Sequence, residues 1–362
     1  MSHSNSPVHS PPASPGGPPG WATADRAAAF QAWLAPLTVS HGLQADTLRV
    51  ASADASFRRY FRIDSAHGSR IIMDAPPELE DSAPFVKVAQ LMRQAGVLAP
   101  EVLACDLQRG FLLLTDLGAQ TMLQGMNRQQ PQANLERYLQ AIDALIAWQT
   151  ASQPDVLPPY DEALLRRELA LFPDWYIARH RGMAVDGELD RVLQSSFELI
   201  VAQNLCWPSV YVHRDFMPRN LMLGDAGLGV LDFQDAVYGP VTYDIASLMR
   251  DAFLSWDEGF VIDVTVRYWD KARAAGLPVG TDFGEFYRGV EWMGLQRHLK
   301  VAGIFARLTL RDGKPQYLAD APRFISYIRA TASRYRELKP LLRLVDRIEG
   351  IEPVNAYAFG RV

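Results

Sequence analysis

The sequence has few cysteines and no long apolar run. Only Cys105 and Cys206 occur among its 362 residues, and they do not form a Cys-x-x-Cys pair. This scarcity argues against a disulfide framework and against a structural zinc site. No stretch approaches the roughly 18 apolar residues of a membrane span, and no basic start followed by an apolar stretch indicates a signal peptide. We therefore expect a cytoplasmic protein with no membrane partner.

Negative side chains outnumber positive ones, and lysine is scarce. The formal net charge of −5 at pH 7 provides no general attraction to nucleic acid or to anionic lipid. Only five of the 36 lysines and arginines are lysines, the first at Lys87 and the next at Lys271. We therefore expect no nucleic-acid partner, and we take the chain to be a monomer.

The first third of the chain predicts a tail followed by a small sheet. Residues 1–20 carry no charged side chain and are mainly Ser, Pro and Gly, a composition typical of a disordered tail. Apolar residues at helical spacing over 24–37 then predict a helix that ends near Pro36. The signals that follow are strand 47–52, strand 57–64, strand 69–75, helix 85–95, strand 101–105 and strand 110–115. Together they predict a sheet with one helix against it.

The chain after Gly118 is mainly helical in pattern. Helical periodicity covers 135–150, 161–179, 189–204 and the chain from 243 onward, with breaks near 276–280 and 312–315. Pro173 predicts a kink in the second of these helices, and a β-rich interruption occupies 210–231. We therefore predict an α+β protein of two lobes joined near 115–118, a small β-rich one over 21–117 and a larger helical one over 118–362.

One segment in the helical half carries a pattern of catalytic residues. His213-Arg214-Asp215 is followed after four residues by Asn220, the spacing of a protein-kinase catalytic loop. Twelve residues after Asn220, Asp232 follows the apolar run Gly229-Val230-Leu231. This pattern predicts that Asp215 is the catalytic residue, accepting or orienting the proton of a substrate hydroxyl. Asn220 and Asp232 offer the oxygen ligands that Mg²⁺ on a nucleotide requires.

The segments around these residues resemble a known family. Val212 to Asp215, Asn220 to Met222, Leu231 to Ala236 and Gly239 to Ala246 are similar to the aminoglycoside/choline kinase-like phosphotransferases. Within that family, 54–62 and 73–77 are most similar to the bacterial N-acetylmuramate/N-acetylglucosamine kinases.

The resemblance covers roughly residues 25–340 and implies a two-lobed protein-kinase-like fold that uses ATP and Mg²⁺. It assigns nucleotide binding to 21–117, and catalysis and substrate binding to 118–362. It also implies phosphorylation of the anomeric (C1) hydroxyl of an amino sugar in cell-wall recycling.

The predicted sheet departs from ordinary protein kinases in its phosphate-binding residues. Its third strand contains no lysine and the helix over 85–95 contains no Glu, so the usual Lys–Glu pair is missing. The candidates to replace it are Arg58, Arg59 and Arg62, because a guanidinium group can donate two hydrogen bonds to one phosphate. Strand alternation would place Arg58 and Arg62 on one face and Arg59 on the other. Ser56, in a turn of small residues, is a further candidate for the phosphates.

The remaining candidates rest on position alone. Thr115, Asp116 and Leu117 end the last strand at the lobe junction, where kinases hydrogen-bond adenine through the backbone. Asp74, Arg219 and Asp235 are candidates for the sugar. Each has an alternative: a strand-end role for Asp74, a surface role or a charge near the phosphate for Arg219, and the metal region for Asp235. We expect His213 and Asp244 to brace the catalytic loop.

Two rival interpretations stay open at this point. The nearest rival is the same chemistry on another alcohol, such as an aminoglycoside or choline, because the sequence does not show which residues line the pocket. A nucleotide-binding pseudokinase would explain the missing Lys–Glu pair, but Asp215, Asn220 and Asp232 argue for catalysis.

Overall fold

The structure is a computed structural model that describes residues 20–21, 23–52 and 58–352. The predicted tail, apart from Gly20, lies outside these ranges, as does Ser56. The chain divides into two compact units, the first from residues 1–120 and 222–235 and the second from 121–221 and 236–362.

The first unit contains a five-stranded antiparallel sheet with strand order β1-β2-β3-β5-β4. Its elements are α1 (Ala24–Ser40), β1 (Leu43–Ser52), β2 (Arg59–Ser65), β3 (Gly68–Asp74), α2 (Ala83–Gln94), β4 (Val102–Asp106) and β5 (Phe111–Thr115). The two-residue strand β6 (Gln120–Thr121) follows, and β8 (Leu221–Gly224) and β9 (Gly227–Val230) complete the set. The predicted order of helix, three strands, helix and two strands is confirmed.

Helix α1 covers one face of this sheet. Thr23 caps it by accepting a hydrogen bond from the Arg26 N–H at 3.1 Å. Phe30, Trp33 and Leu34 project from one side of the helix and pack against alternate sheet residues, among them Phe61. Burial of each such side chain contributes about 2 kcal/mol. This packing decides which strand residues point toward α1.

The prediction that α1 ends near Pro36 is wrong, because the helix continues to Ser40. Pro36 lacks the N–H that would bond to the carbonyl of Ala32. Both residues are exposed, so solvent can pair with that carbonyl and the helix loses little.

The second unit is built mainly from helices. These are α3 (Leu135–Thr150), α4 (Glu162–Leu169), α5 (Gly187–Leu205), α6 (Tyr243–Met249), α7 (Glu258–Ala274), α8 (Phe283–Leu310), α9 (Ala321–Arg334) and α10 (Lys339–Glu349). Short 3₁₀ turns occupy Pro131–Asn134, Pro218–Asn220, Pro315–Asp320 and Arg336–Leu338. An antiparallel pair, β7 (Ser209–Val212) and β10 (Val237–Pro240), flanks the predicted catalytic segment. The described helices include none that is both long enough and apolar enough to span a membrane.

The predicted kink at Pro173 takes the form of a change in helix type. Helix α4 ends at Leu169, and a π-helical segment runs over Phe172–His180. Pro173 cannot donate to the carbonyl four residues earlier, so the regular ladder cannot continue. Gly303 of α8 lies so close that a Cβ there would be 2.3 Å from the Leu171 carbonyl oxygen. The backbone of α8 can therefore approach the Leu171 carbonyl this closely only because Gly303 has no side chain.

A break between α6 and α7 is absent from the predicted pattern. The chain is irregular between these helices, where the buried Asp251 accepts a hydrogen bond from the Phe253 N–H at 3.2 Å. Asp257 then caps α7 by accepting from the Phe260 N–H. The prediction of continuous helix from 243 to the break near 276 is wrong, because these two aspartates give the backbone alternative partners.

Candidate active site

The segment that follows β7 is held by a buried aspartate. Asp244, in the first turn of α6, is inaccessible to solvent and accepts two backbone hydrogen bonds. His213 N–H donates to its Oδ2 at 2.7 Å and Arg214 N–H donates to its Oδ1 at 3.0 Å. The buried His213 ring accepts the Asp215 N–H through Nδ1 at 3.3 Å. The predicted bracing roles of His213 and Asp244 are confirmed.

Asp215 presents an ionised and accessible carboxylate. Its side chain is 44% exposed, and within the described ranges no hydrogen-bond donor contacts its oxygens. The closest cation is Arg297, whose Nη2 is 4.0 Å from Oδ1. Partial desolvation by the surrounding protein acts to raise the pKa of Asp215, but the charges of Lys300, Arg297 and Arg214 outweigh it and lower the pKa. At neutral pH this carboxylate has lone pairs available to accept a proton, as a general base requires.

Asn220 is fixed in a short turn after the loop. The 3₁₀ turn Pro218–Asn220 brings the Asn220 N–H to the Met217 carbonyl at 2.9 Å. Its side-chain nitrogen donates to the Asp215 carbonyl, also at 2.9 Å. Since the nitrogen is committed to the loop, the amide oxygen is the atom suited to a hard cation. The neighbouring Arg219 guanidinium lies 4.8 Å from the centre of the Phe253 ring.

Asp232, in the first unit, adopts an unusual backbone conformation after β9. Its φ of 64° lies in the left-handed region, and Gln234 Nε2 donates to its Oδ1 at 2.9 Å. Among the described non-glycine residues only Asp155, Arg214 and Asp232 have positive φ. Two of these three belong to the predicted catalytic motifs, and strained backbone is concentrated at functional sites. Phe233 anchors the segment by packing on Phe85 of α2, with ring centres 4.9 Å apart.

Arg62 is joined to the predicted adenine-binding segment. It forms a bidentate pair with Asp116, Nε to Oδ2 at 2.5 Å and Nη2 to Oδ1 at 3.0 Å. The same Nη2 donates to the Gly118 carbonyl at 2.8 Å. Burial acts to raise the pKa of Asp116, but hydrogen bonds from Arg62, Ser69 and Gly118 lower it. Arg62 therefore ties β2 to the segment after β5.

The rest of that segment is fixed by close packing. Thr115 Oγ1 accepts the Glu101 N–H at 2.9 Å. A Cβ on Gly229 would lie only 2.8 Å from Leu117 Cδ1. Leu117 therefore packs against β9 at a distance that only glycine allows.

Asp74 and Arg59 require correction of their predicted roles. The Asp74 carboxylate is inaccessible to solvent and lies on the face of the sheet that α1 covers. Arg26 Nη2 donates to its Oδ1 at 2.5 Å and Arg59 Nε donates to its Oδ2 at 2.9 Å. A carboxylate enclosed by two guanidinium groups cannot reach a sugar hydroxyl. The structure assigns both residues to an ion triad that fixes α1 on the sheet, and Arg26 is the member that the sequence did not reveal.

Arg58 precedes the strand. The prediction that Arg58 takes part in strand alternation is wrong, because β2 begins at Arg59. Arg58 Nη2 donates to Glu80 Oε2 at 3.0 Å. Asp235 is exposed in the segment after Asp232.

Sequence reasoning missed three charged residues beside the predicted catalytic loop. Glu168 of α4 is buried and accepts Tyr160 OH, Arg214 Nη2 at 2.5 Å and Lys300 Nζ at 2.8 Å. Burial acts to raise the pKa of Glu168, but Lys300 and Arg214 lower it to about 2. Arg297 donates through Nη1 to the Arg214 carbonyl at 2.5 Å. The signal was present: Arg297 and Lys300 stand three residues apart in a largely apolar helix, on one face of α8.

Known proteins share both the sequence and the fold. The model of the phosphotransferase enzyme family matches residues 47–277. The N-acetylmuramate/N-acetylglucosamine kinase of Pseudomonas aeruginosa is 53% identical over 295 residues, which is 82% of this chain and 86% of that protein. The enzyme of the same name from Neisseria meningitidis is 49% identical over 85% of this chain and 92% of its own length.

A solved choline/ethanolamine kinase family protein from Mesorhizobium loti has a TM-score of 0.60 at 15% identity, covering 89% of this chain and 99% of its own. At that identity the likeness concerns the fold alone, and it confirms the predicted kinase-like architecture. The chain therefore belongs to the phosphotransferase enzyme family.

Proposed function

We propose that the chain transfers the γ-phosphoryl group of ATP to the anomeric (C1) hydroxyl of N-acetylmuramate and N-acetylglucosamine. The observation that carries the proposal is the Asp215 carboxylate, ionised and accessible beside a left-handed residue of the kinase-type loop. The choice of acceptor is supported by relatives about half identical over most of their length that carry this name. The reaction would belong to cell-wall recycling in the cytoplasm, with the chain acting as a monomer.

Asp215 accepts or orients the proton of the attacking hydroxyl. An anomeric hydroxyl is more acidic than an ordinary alcohol, so a carboxylate of modest basicity suffices. Phosphoryl transfer demands little covalent chemistry from the protein, and most of the acceleration comes from positioning and charge neutralisation. The available lone pairs of the Asp215 carboxylate are the property that this role needs.

The residues present fit a magnesium ion carried by the nucleotide. Across the residues that the structure describes, no three His, Cys, Asp or Glu side chains converge into a preformed cage. Mg²⁺ in kinases is bound by one or two protein oxygens plus phosphate and water, and Asn220 and Asp232 offer an amide and a carboxylate oxygen. Bound there, the ion would neutralise charge on the phosphates.

For the nucleotide and the sugar we propose secondary roles. The backbone of Thr115, Asp116 and Leu117 binds adenine, with Arg62 holding that segment in place. Ser56 and Arg58 are proposed for the phosphates. Arg219, braced on Phe253, is proposed for the sugar because the lactyl carboxylate of muramate needs a basic partner. Asp235 is proposed as an acceptor for sugar hydroxyls.

The test is turnover with a panel of acceptors. ADP release is measured with N-acetylmuramate, N-acetylglucosamine, choline and aminoglycosides, and the position of the new phosphate is found by ³¹P and ¹H NMR. We expect the 1-phosphates of the two amino sugars. Phosphate on C6 would overturn the anomeric assignment, and activity confined to choline or aminoglycosides would overturn the amino-sugar assignment. Magnesium-dependent turnover of any alcohol would rule out the interpretation as a pseudokinase.

A further inference from the structure

The residue before the catalytic aspartate is held at three points by three helices. Arg214 has φ of 76°, a conformation that side-chain-bearing residues rarely adopt. Its N–H is held by Asp244 of α6, and its guanidinium is held by Glu168 of α4 at 2.5 Å. Its carbonyl accepts Arg297 Nη1 of α8 at 2.5 Å. Strained backbone persists where surrounding structure overdetermines it, and these contacts supply that structure.

Arg297 is the contact that acts on the peptide leading to Asp215. The Arg214 carbonyl belongs to the same peptide unit as the Asp215 N–H, so the hydrogen bond from Arg297 restricts rotation of that unit. The side chain of Arg297 is only 5% exposed, and its guanidinium carbon lies 4.9 Å from the centre of the Tyr243 ring. A buried and stacked guanidinium has little freedom to move, so it is a rigid reference for the loop.

The distance from Arg297 to the carboxylate is also informative. At 4.0 Å, Arg297 Nη2 attracts Asp215 Oδ1 without a hydrogen bond. The cation thus holds the backbone while the carboxylate keeps its lone pairs for a substrate hydroxyl. In the first unit the opposite occurs, because Arg62 binds both oxygens of Asp116.

We propose that Arg297 is a positioning residue that fixes the strained peptide between Arg214 and Asp215 and thereby aims the Asp215 carboxylate at the acceptor hydroxyl. The inference rests on the proposed role of Asp215 as the base. It differs from a general stabilising role because Arg297 acts on the orientation of one peptide, so it affects the chemical step and leaves binding of nucleotide and sugar intact.

The test compares Arg297→Met with Lys300→Met. Lys300, three residues further along α8, is also buried and cationic but pairs with Glu168 and Tyr243 and makes no bond to the loop backbone. We expect Arg297→Met to lower kcat about 100-fold with both KM values within about twofold. The loss in Lys300→Met should be about tenfold smaller. Equal losses in the two variants would mean that charge alone matters, and would overturn the positioning role.

Further variants separate positioning from folding. Arg297→Lys keeps a cation with N–H donors but loses the planar guanidinium, so we expect it to recover about tenfold of the lost kcat. Arg267→Met, at an exposed pair on α7, is the control with wild-type kinetics. A folded Arg297→Met with wild-type kcat would overturn the proposal. Should Arg297→Met fail to fold, reduced kcat at unchanged KM in Arg297→Lys supports the proposal and wild-type kcat in that variant overturns it.

Failure of the proposed function is distinguishable from failure of this inference. If the wild type phosphorylates no amino sugar, the same series is measured with whichever alcohol it accepts, or with water as acceptor in ATP hydrolysis. The kcat of Arg297→Met should be lower than that of Lys300→Met with any acceptor that Asp215 activates. A crystal structure of Arg297→Met provides a readout without substrate: Arg214 should leave the left-handed region, and an unchanged loop would overturn the proposal.

Discussion

Arg297 of the helical unit is used in the opposite way to Arg59 and Arg62 of the sheet unit. In the sheet unit, Arg59 and Arg62 end on the carboxylates of Asp74 and Asp116, which are thereby saturated with hydrogen bonds. In the helical unit, Arg297 ends on a backbone carbonyl and stays 4.0 Å from the carboxylate of Asp215. A saturated carboxylate builds the scaffold, and an ionised carboxylate with unused lone pairs is available for chemistry. The difference indicates function better than the presence of a charged residue does.

The largest expected effect tests the carboxylate with unused lone pairs. Asp215→Asn keeps the size of the side chain but removes the proton acceptor, so kcat should fall about a thousandfold. Binding of ATP, measured by calorimetry, should stay within about threefold of wild type, because the change leaves the Asn220 contact to the backbone intact. Near-wild-type turnover would overturn both the assignment of Asp215 and the comparison.

The next effect tests a saturated carboxylate. Asp74→Ala leaves Arg26 and Arg59 partly buried without their partner, so the free energy of unfolding should fall by about 3 kcal/mol. Urea titration measures this, and KM for the sugar should not change. The matched control is Asp64→Ala, which breaks an exposed pair with Arg49 and should cost about 0.5 kcal/mol. A stable Asp74→Ala with raised sugar KM would restore the sugar-binding interpretation.

A third prediction concerns a buried neutral group in the helical unit. His298 is buried, stacks on Tyr327 with ring centres 4.6 Å apart, and bonds the Arg250 carbonyl through Nε2 at 3.2 Å. Burial, followed by the charge of Arg250, lowers the pKa of His298 to about 3. A histidine whose folded pKa is depressed contributes stability above its unfolded pKa of 6.5, and that contribution is lost as pH falls below this value.

Between pH 7 and pH 5 the loss amounts to about 2 kcal/mol. Denaturant unfolding of the wild type and of His298→Phe at both pH values measures it, and the variant should lose about 2 kcal/mol less on acidification. Parallel pH dependence of the two proteins would show that this histidine is not held neutral.

The smallest effect asks what the saturated pair of Arg62 does. If Arg62 braces the segment of Thr115 to Leu117, Arg62→Met should weaken binding of adenosine and ADP by the same factor, about fivefold. Calorimetry with both ligands measures the two factors, and Arg49→Met on the neighbouring strand is the control. Weakening of ADP alone would instead indicate a direct phosphate contact, the role that the sequence pattern predicts.

Sequence reasoning predicted structure best where the contacts depend on local spacing. His213, Asp215 and Asn220 act through contacts within a few residues of one another, so their spacing alone is enough to indicate the loop. It failed where a role depends on which face of an element is covered. Asp74 and Arg59 point toward α1, and no pattern in the strand reveals that a helix from the start of the chain packs on that face.

The sequence by itself determined the order of elements, the loop from His213 to Asn220 and the membership of the phosphotransferase family, because periodicity and motif spacing are local properties of the chain. Only the tertiary structure decided which charges are neutralised. Glu168, Asp244 and Arg297 come from three helices far apart in sequence and bond to Arg214 only because those helices pack together. Long-range ion pairs depend on how helices dock, and docking is decided by the fit of whole buried faces.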